Sequence, residues 1–510
     1  MGKNNTKSWF REIALVCFFL SGASGLMYEV AWNRMLGLTF GNTIFASSTV
    51  LTAFMSGLAL GSYISGRYAD RISKPLRIYA FLEIGIGIYC IFIPLSIKLL
   101  QGIYIPLQRS MQLSFYTFSL VRFVLVFMLL LIPATFMGAT TPFFSRAYVR
   151  IGERFGHGIG RIYSINTFGA FAGVVASGFF MLENLGVRRT IYTAVVINVI
   201  VAVVCLLIDR RPMGKTKPDK VEENKESIPL SSGQRKVFIA LLIGLGVSGF
   251  AAMVYELAWI RILAMILGSS VYAFSIMLAT FLVGLALGSI LFSFIVKWKA
   301  PNLLWFGIVE LTIGVIVVVM LPLFGRMPFY FVDLFDRFGY NHIALEISRF
   351  FMAFSVMILP TVLLGSLFPM VTHICTRDYR ELGRRVGSIY SVNTLGNIGG
   401  SFITGFVLIP YIGIQNSVLL GATLNILVAC GIFLVYDTPK LTRRIAASAA
   451  SLVILIALIF TIPTWDKMII SSGASVYAPK YADIKDKERE LAMSGIGEEL
   501  LYYKEGIETT

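Results

Sequence analysis

Six charged side chains lie where charge is expensive. Glu29, Glu83, Arg122, Glu256, Glu310 and Arg349 all fall inside long apolar runs. They form three sets, Glu29 with Glu256, Glu83 with Glu310 and Arg122 with Arg349, each separated by 227 residues. An ionisable group in hydrocarbon needs an opposite charge or an aqueous cavity, and it marks proton or solute pathways when it is not a structural pair. Glu29 and Arg122 lie at similar depths, about four and five residues from the ends of their runs. Matched depth therefore predicts the ion pairs Glu29–Arg122 and Glu256–Arg349. Glu83 and Glu310 lie nearer the opposite face, with no partner evident from the sequence.

A second duplicated pattern is polar and small. Tyr163-Ser164-Ile165-Asn166-Thr167-Phe168-Gly169 recurs as Tyr390-Ser391-Val392-Asn393-Thr394-Leu395-Gly396. Glycines four apart make a flat stripe on which helix backbones approach closely. The amides of Asn166 and Asn393 need partners if buried, so both are candidate polar sites. Catalytic and metal chemistry have no comparable support. The five cysteines show no Cys-x-x-Cys spacing, and His157, His342 and His373 are scattered. No metal, cofactor or catalytic residue is expected in this chain.

The elements that must carry these residues follow from composition. Of 510 residues 56% are hydrophobic and only 14% are charged, with mean hydropathy +0.77. A soluble domain has about 25% charged residues, so the lipid bilayer is the solvent. Apolar runs long enough to span fall near 12–33, 44–66, 76–98, 117–145, 159–182, 189–208, 237–260, 271–296, 303–324, 345–374, 386–410, 416–436 and 445–463. Lys3, Lys7 and Arg11 before the first run imitate a signal peptide, but that run recurs later, so it is read as a retained helix. Shifted by 227, 19 of 42 positions over 21–62 are identical, including Tyr28-Glu29 on Tyr255-Glu256 and Gly57–Ser62 on Gly284–Ser289. The expected fold is all-α, with two parallel six-helix repeats related by an axis along the membrane normal. The first occupies 1–208 and the second 237–436. A linker lies at 209–236, a thirteenth span at 445–463 and a soluble stub at 464–510.

The net charge is +16. Basic residues number 26 before the first span and after the even ones, against 6 after the odd ones. This bias fixes orientation and does not point to nucleic acid. The N-terminus and linker are expected in the cytoplasm and the stub outside, in a plasma (inner) membrane. The aromatic stretch 325–346 reads as an outer connection lying in the interface as a short amphipathic helix.

Gly66-Arg67-Tyr68-Ala69-Asp70-Arg71-Ile72-Ser73-Lys74 resembles the major facilitator signature Gly-x-x-x-Asp-Arg-x-Gly-Arg/Lys, with Ser73 in place of the second glycine. The resemblance makes Asp70 and Arg71 a candidate gating loop. Together with Ser472-Gly473, Tyr477, Tyr481 and the run Leu500–Thr510, these motifs resemble spermidine synthase-like proteins fused to a major-facilitator-like membrane domain. That family implies a polyamine aminopropyltransferase whose membrane module anchors the enzyme and binds or moves a polyamine-related substrate or product. The stub is similar to the opening strand of the synthase's small β domain. Decarboxylated S-adenosylmethionine would belong to a catalytic domain after Thr510, supplied separately or in the same gene. This chain is therefore expected to be inactive by itself. A stand-alone solute transporter and a purely structural scaffold stay open as alternatives.

Overall fold

The computed structural model describes residues 2–40, 44–68, 72–112, 114–150, 155–210, 232–268, 271–298, 301–375, 382–436 and 441–484. Among these every regular element is helical. The first six are α1 (Gly2–Phe40), α2 (Ile44–Tyr68), α3 (Pro75–Met111), α4 (Phe115–Arg150), α5 (Phe155–Val175) and α6 (Gly186–Asp209). The next seven are α7 (Ser232–Leu267), α8 (Val271–Trp298), α9 (Leu303–Phe338), α10 (His342–Cys375), α11 (Leu382–Ile403), α12 (Ile409–Val435) and α13 (Leu441–Thr461). Two short helices follow, α14 (Lys467–Ile470) and α15 (Ala474–Ala482).

Twelve helical segments among the described residues are long and apolar enough to cross a membrane. One of them, Gly387–Val435, is 49 residues long and contains two passes. It breaks at Gly413, where φ is 81° and ψ is 173°, a conformation closed to residues with a Cβ. Gly186, 227 positions earlier, makes the corresponding turn with φ 75°. A π-helical turn precedes both glycines, Ala176–Met181 and Thr404–Leu408. The two copies therefore share the local backbone irregularity as well as the sequence.

Contact clustering divides the chain into two compact units, 1–39 with 49–229 and 40–48 with 230–510. In the first, α1, α3, α4 and α6 share a core of Leu15, Phe18, Tyr79, Phe144, Tyr148 and Val201. Phe18 stacks on Phe144 with ring centroids 4.1 Å apart. Small residues set the helix approaches in both units. A Cβ on Gly61 would strike the Thr135 backbone of α4, and one on Gly288 the Val362 backbone of α10. The serine after each glycine donates to the facing helix, Ser62 Oγ to Gly138 O and Ser289 Oγ to Gly365 O, both at 2.9 Å. Gly169 and Gly173 of α5 meet α1 at Phe19 and Ala23, and Gly396 and Gly400 of α11 meet α7 in the same way. The glycine stripes are thus packing surfaces.

Two expectations change. The stretch 325–346 is helical as expected, but it forms no separate short helix: α9 continues to Phe338 and α10 begins at His342. Its aromatic residues continue the apolar face of α9, burying Met327, Phe331 and Val332. The stub 464–484 is helical, so an opening strand finds no place there. Residues 485–510, including Leu500–Thr510, lie outside the described residues. Further along the chain, α13 runs antiparallel along α12. Ser448 Oγ donates to Cys430 O at 3.0 Å near one end, and Gln415 Nε2 donates to Pro463 O at 3.0 Å near the other. Past α13, Trp465 N donates to Gln415 Oε1 at 3.0 Å and its Nε1 to Leu321 O at 2.9 Å. Gly268, at the end of α7, faces Ser475 of α15. The segment 465–484 therefore docks at the face where α7 ends and α12 begins.

Candidate functional site

The two buried carboxyls without an evident partner prove to be held by side chains of neighbouring helices. Glu83 of α3 is fully buried. Ser21 Oγ of α1 donates to its Oε1 at 2.5 Å, and Asn198 Nδ2 of α6 donates to its Oε2 at 2.5 Å. Tyr28 OH donates to Asn198 Oδ1 at 2.9 Å and closes the cluster. The second unit repeats it. Asn425 Nδ2 of α12 donates to Glu310 Oε2 of α9 at 2.6 Å, and Tyr255 OH of α7 donates to Asn425 Oδ1 at 2.5 Å. Every member is 227 residues from its counterpart: Ser21 and Ser248, Tyr28 and Tyr255, Glu83 and Glu310, Asn198 and Asn425.

The copies differ in one contact. Ser248 Oγ sits 3.5 Å from Asn425 Nδ2 rather than on the carboxyl, and Glu310 Oε1 is buried with no hydrogen-bond partner among the described residues. Residue 79 is Tyr and its counterpart 306 is Phe, so the second cluster has one hydroxyl fewer beside it. Each cluster ties three helices together through a carboxyl in a low-dielectric core. An amide and a hydroxyl can do this because they donate without adding a charge.

The second pair of glutamates lies one residue beyond the tyrosines. Glu29 and Glu256 are each 2% exposed. The expected pair Glu256–Arg349 is not formed. Arg349 Nη1 instead binds Glu346 Oε1 at 2.5 Å, one turn away on α10, and its guanidinium lies 5.0 Å from the Phe331 ring centre. An i,i+3 partner on the same helix is already in place and outcompetes a group on another helix. Arg122 stacks 4.0 Å over Phe118, with Tyr104 at 5.9 Å. Asn166 and Asn393 are half-buried and lie against Gly22 and Gly249, so they sit at the α1–α5 and α7–α11 crossings. Asp70 and Arg71 lie outside the described residues. Among the described residues no group of His, Cys, Asp or Glu could hold a metal.

Sequence reasoning missed Asn198, Asn425 and the two tyrosine hydroxyls. The signal they left was the repeat itself, since Asn198 and Asn425 keep the same shift of 227 as the acids.

A model of the Major Facilitator Superfamily matches residues 14–344. The chain is 23% identical over 227 residues to a polyamine aminopropyltransferase of Corynebacterium efficiens, covering 44% of this chain and 40% of that protein. It is 24% identical over 210 residues to polyamine aminopropyltransferase 1 of Streptomyces coelicolor, covering 40% and 36%. The matched stretch is thus well under half the length of these curated relatives. Among solved structures, the nucleoside transporter NupG superposes with a TM-score of 0.55 at 12% identity, covering 84% of this chain and 99% of that one. A POT family transporter gives 0.52 at 14% identity, covering 83% and 95%. These two likenesses bear on the fold alone.

Proposed function

The chain belongs to the Major Facilitator Superfamily, and from that premise we propose that it is the membrane module of an aminopropyltransferase-type protein, binding and moving a polyamine-related amine. It is a multi-pass, transporter-like membrane protein. The amine assignment rests on where the similarity to the named aminopropyltransferases must fall. The last crossing helix ends at Thr461, and the matches run over 210 and 227 residues. A stretch of that length cannot fit beyond Thr461, so most of it runs through membrane helices. What is common to this chain and those relatives is therefore the membrane part, which supports a role of that part in handling the amine they act on.

The test is uptake by the full chain in proteoliposomes, with radiolabelled butane-1,4-diamine inside an excess of unlabelled competitors. Saturable accumulation, competed by longer linear polyamines and not by nucleosides or dipeptides, supports the proposal. Accumulation of nucleosides or peptides in its place would return the chain to a general transporter of another solute.

A further inference from the structure

Glu256 is 2% exposed, and among the described residues no hydrogen bond or ion pair reaches it. The arginine at matching depth is spent on Glu346. Three residues along α7, on the same helical face, Trp259 buries an indole Nε1–H that also lacks a partner. Its ring stacks with Tyr255 at 5.6 Å and 22° and with Phe324 at 6.4 Å and 16°. Phe281 meets it edge-on at 6.5 Å. The first unit differs in the feature that matters. Tyr28 and Trp32 stack there in the same way, but Glu29 is engaged within the protein.

Two unmet polar groups therefore share one face of α7: a carboxyl lacking a cation and an N–H lacking an acceptor. Unsatisfied buried groups are rare, and each one asks for an explanation. A protonated primary amine answers the carboxyl directly, through a charge-assisted hydrogen bond. The rings of Tyr255, Phe281 and Phe324 packed on Trp259 bring no competing charge. A hydroxyl or an unprotonated second nitrogen on the ligand could accept the indole N–H. An anion would be repelled, and a hydrated divalent ion needs about six oxygen ligands, which this face does not present.

We propose that Glu256 and Trp259 form the buried binding point for the ammonium group of a linear aliphatic amine. The assignment rests on the amine-handling role above and gives it a location. The test is calorimetric titration of the purified full chain in lipid nanodiscs with butane-1,4-diamine, and with butane-1,4-diol as the uncharged analogue. The wild type should bind the diamine and not the diol. Glu256→Gln, close to isosteric, should weaken binding at least about tenfold, and Trp259→Phe by a smaller factor of about three to ten. Glu183→Gln, at an exposed site, should leave it unchanged. Should Glu256→Gln not elute as a monodisperse species, Trp259→Phe decides, since it removes the N–H and retains an aromatic ring. If the folded variants bind the diamine as the wild type does, or if the diol binds equally well, the site is wrong while amine handling stands. If the wild type binds no diamine, both fall.

Discussion

Replacing Asn425 by Leu removes the amide that holds Glu310 Oε2 at 2.6 Å and leaves a buried carboxyl with nothing in its place. Stranding a buried polar group costs about 1–3 kcal/mol, more if it is charged. Asn425→Leu should therefore lower the thermal unfolding midpoint in detergent clearly. The double variant Glu310→Met with Asn425→Leu should recover part of the loss, because both polar partners leave together. A double variant no more stable than the single would show that the amide does not support the acid. Tyr28→Phe deletes only the hydroxyl donating to Asn198 and should cost about 1 kcal/mol. The same instrument checks it, and an unchanged midpoint would remove Tyr28 from the cluster. The acids of these clusters were legible in the sequence because charge in an apolar run stands out. Their partners were not, because an amide or a phenol in a span carries no comparable penalty and attracts no notice. The Glu256–Arg349 expectation failed for a related reason. Depth along a helix is readable from sequence, but the direction a side chain takes around the axis is settled by neighbours, and Glu346 is nearer.

At the scale of elements, the crossings of α2 with α4 and α8 with α10 depend on the absence of a side chain. Gly288→Val would drive two methyls into the Val362 backbone. Overpacking of this kind costs about 1–3 kcal/mol or more where backbone must yield. Gly25, with nothing within 4 Å of an added Cβ, is the matched control, and Gly25→Ala should be neutral. Size-exclusion profiles of the two variants check this, and a monodisperse Gly288→Val would contradict it. The spans and their duplication could be read from hydropathy and register, since both are properties of the chain itself. The extension of α9 to Phe338 could not, because its aromatic residues suit an interface and a buried helix equally. Only the neighbouring packing chooses.

For the whole molecule, the relation of α13 to α12 decides on which face the tail emerges. Because α13 lies antiparallel along α12 and hands over to Trp465 beside Gln415, residues 465–484 dock at the face opposite Tyr436. From the loop charge we propose that Tyr436 faces the cytoplasm. A cysteine at Ser472 should then react with a membrane-impermeant thiol reagent in intact cells, whereas reaction only after permeabilisation would place the tail inside. The buried clusters carry one further consequence, for the order in which the chain is made. Among the described residues the partners of Glu83 are Ser21 and Asn198, and the partner of Glu310 is Asn425. Neither acid waits for a residue from the other half. A chain emerging from the ribosome can close the first cluster as soon as α6 is inserted, before α7 exists, since domains fold as units with the N-terminal one first. The interval in which a bare carboxyl faces lipid lasts only as long as 115 residues take to synthesise, and duplication of the sequence in register keeps that interval equally short the second time.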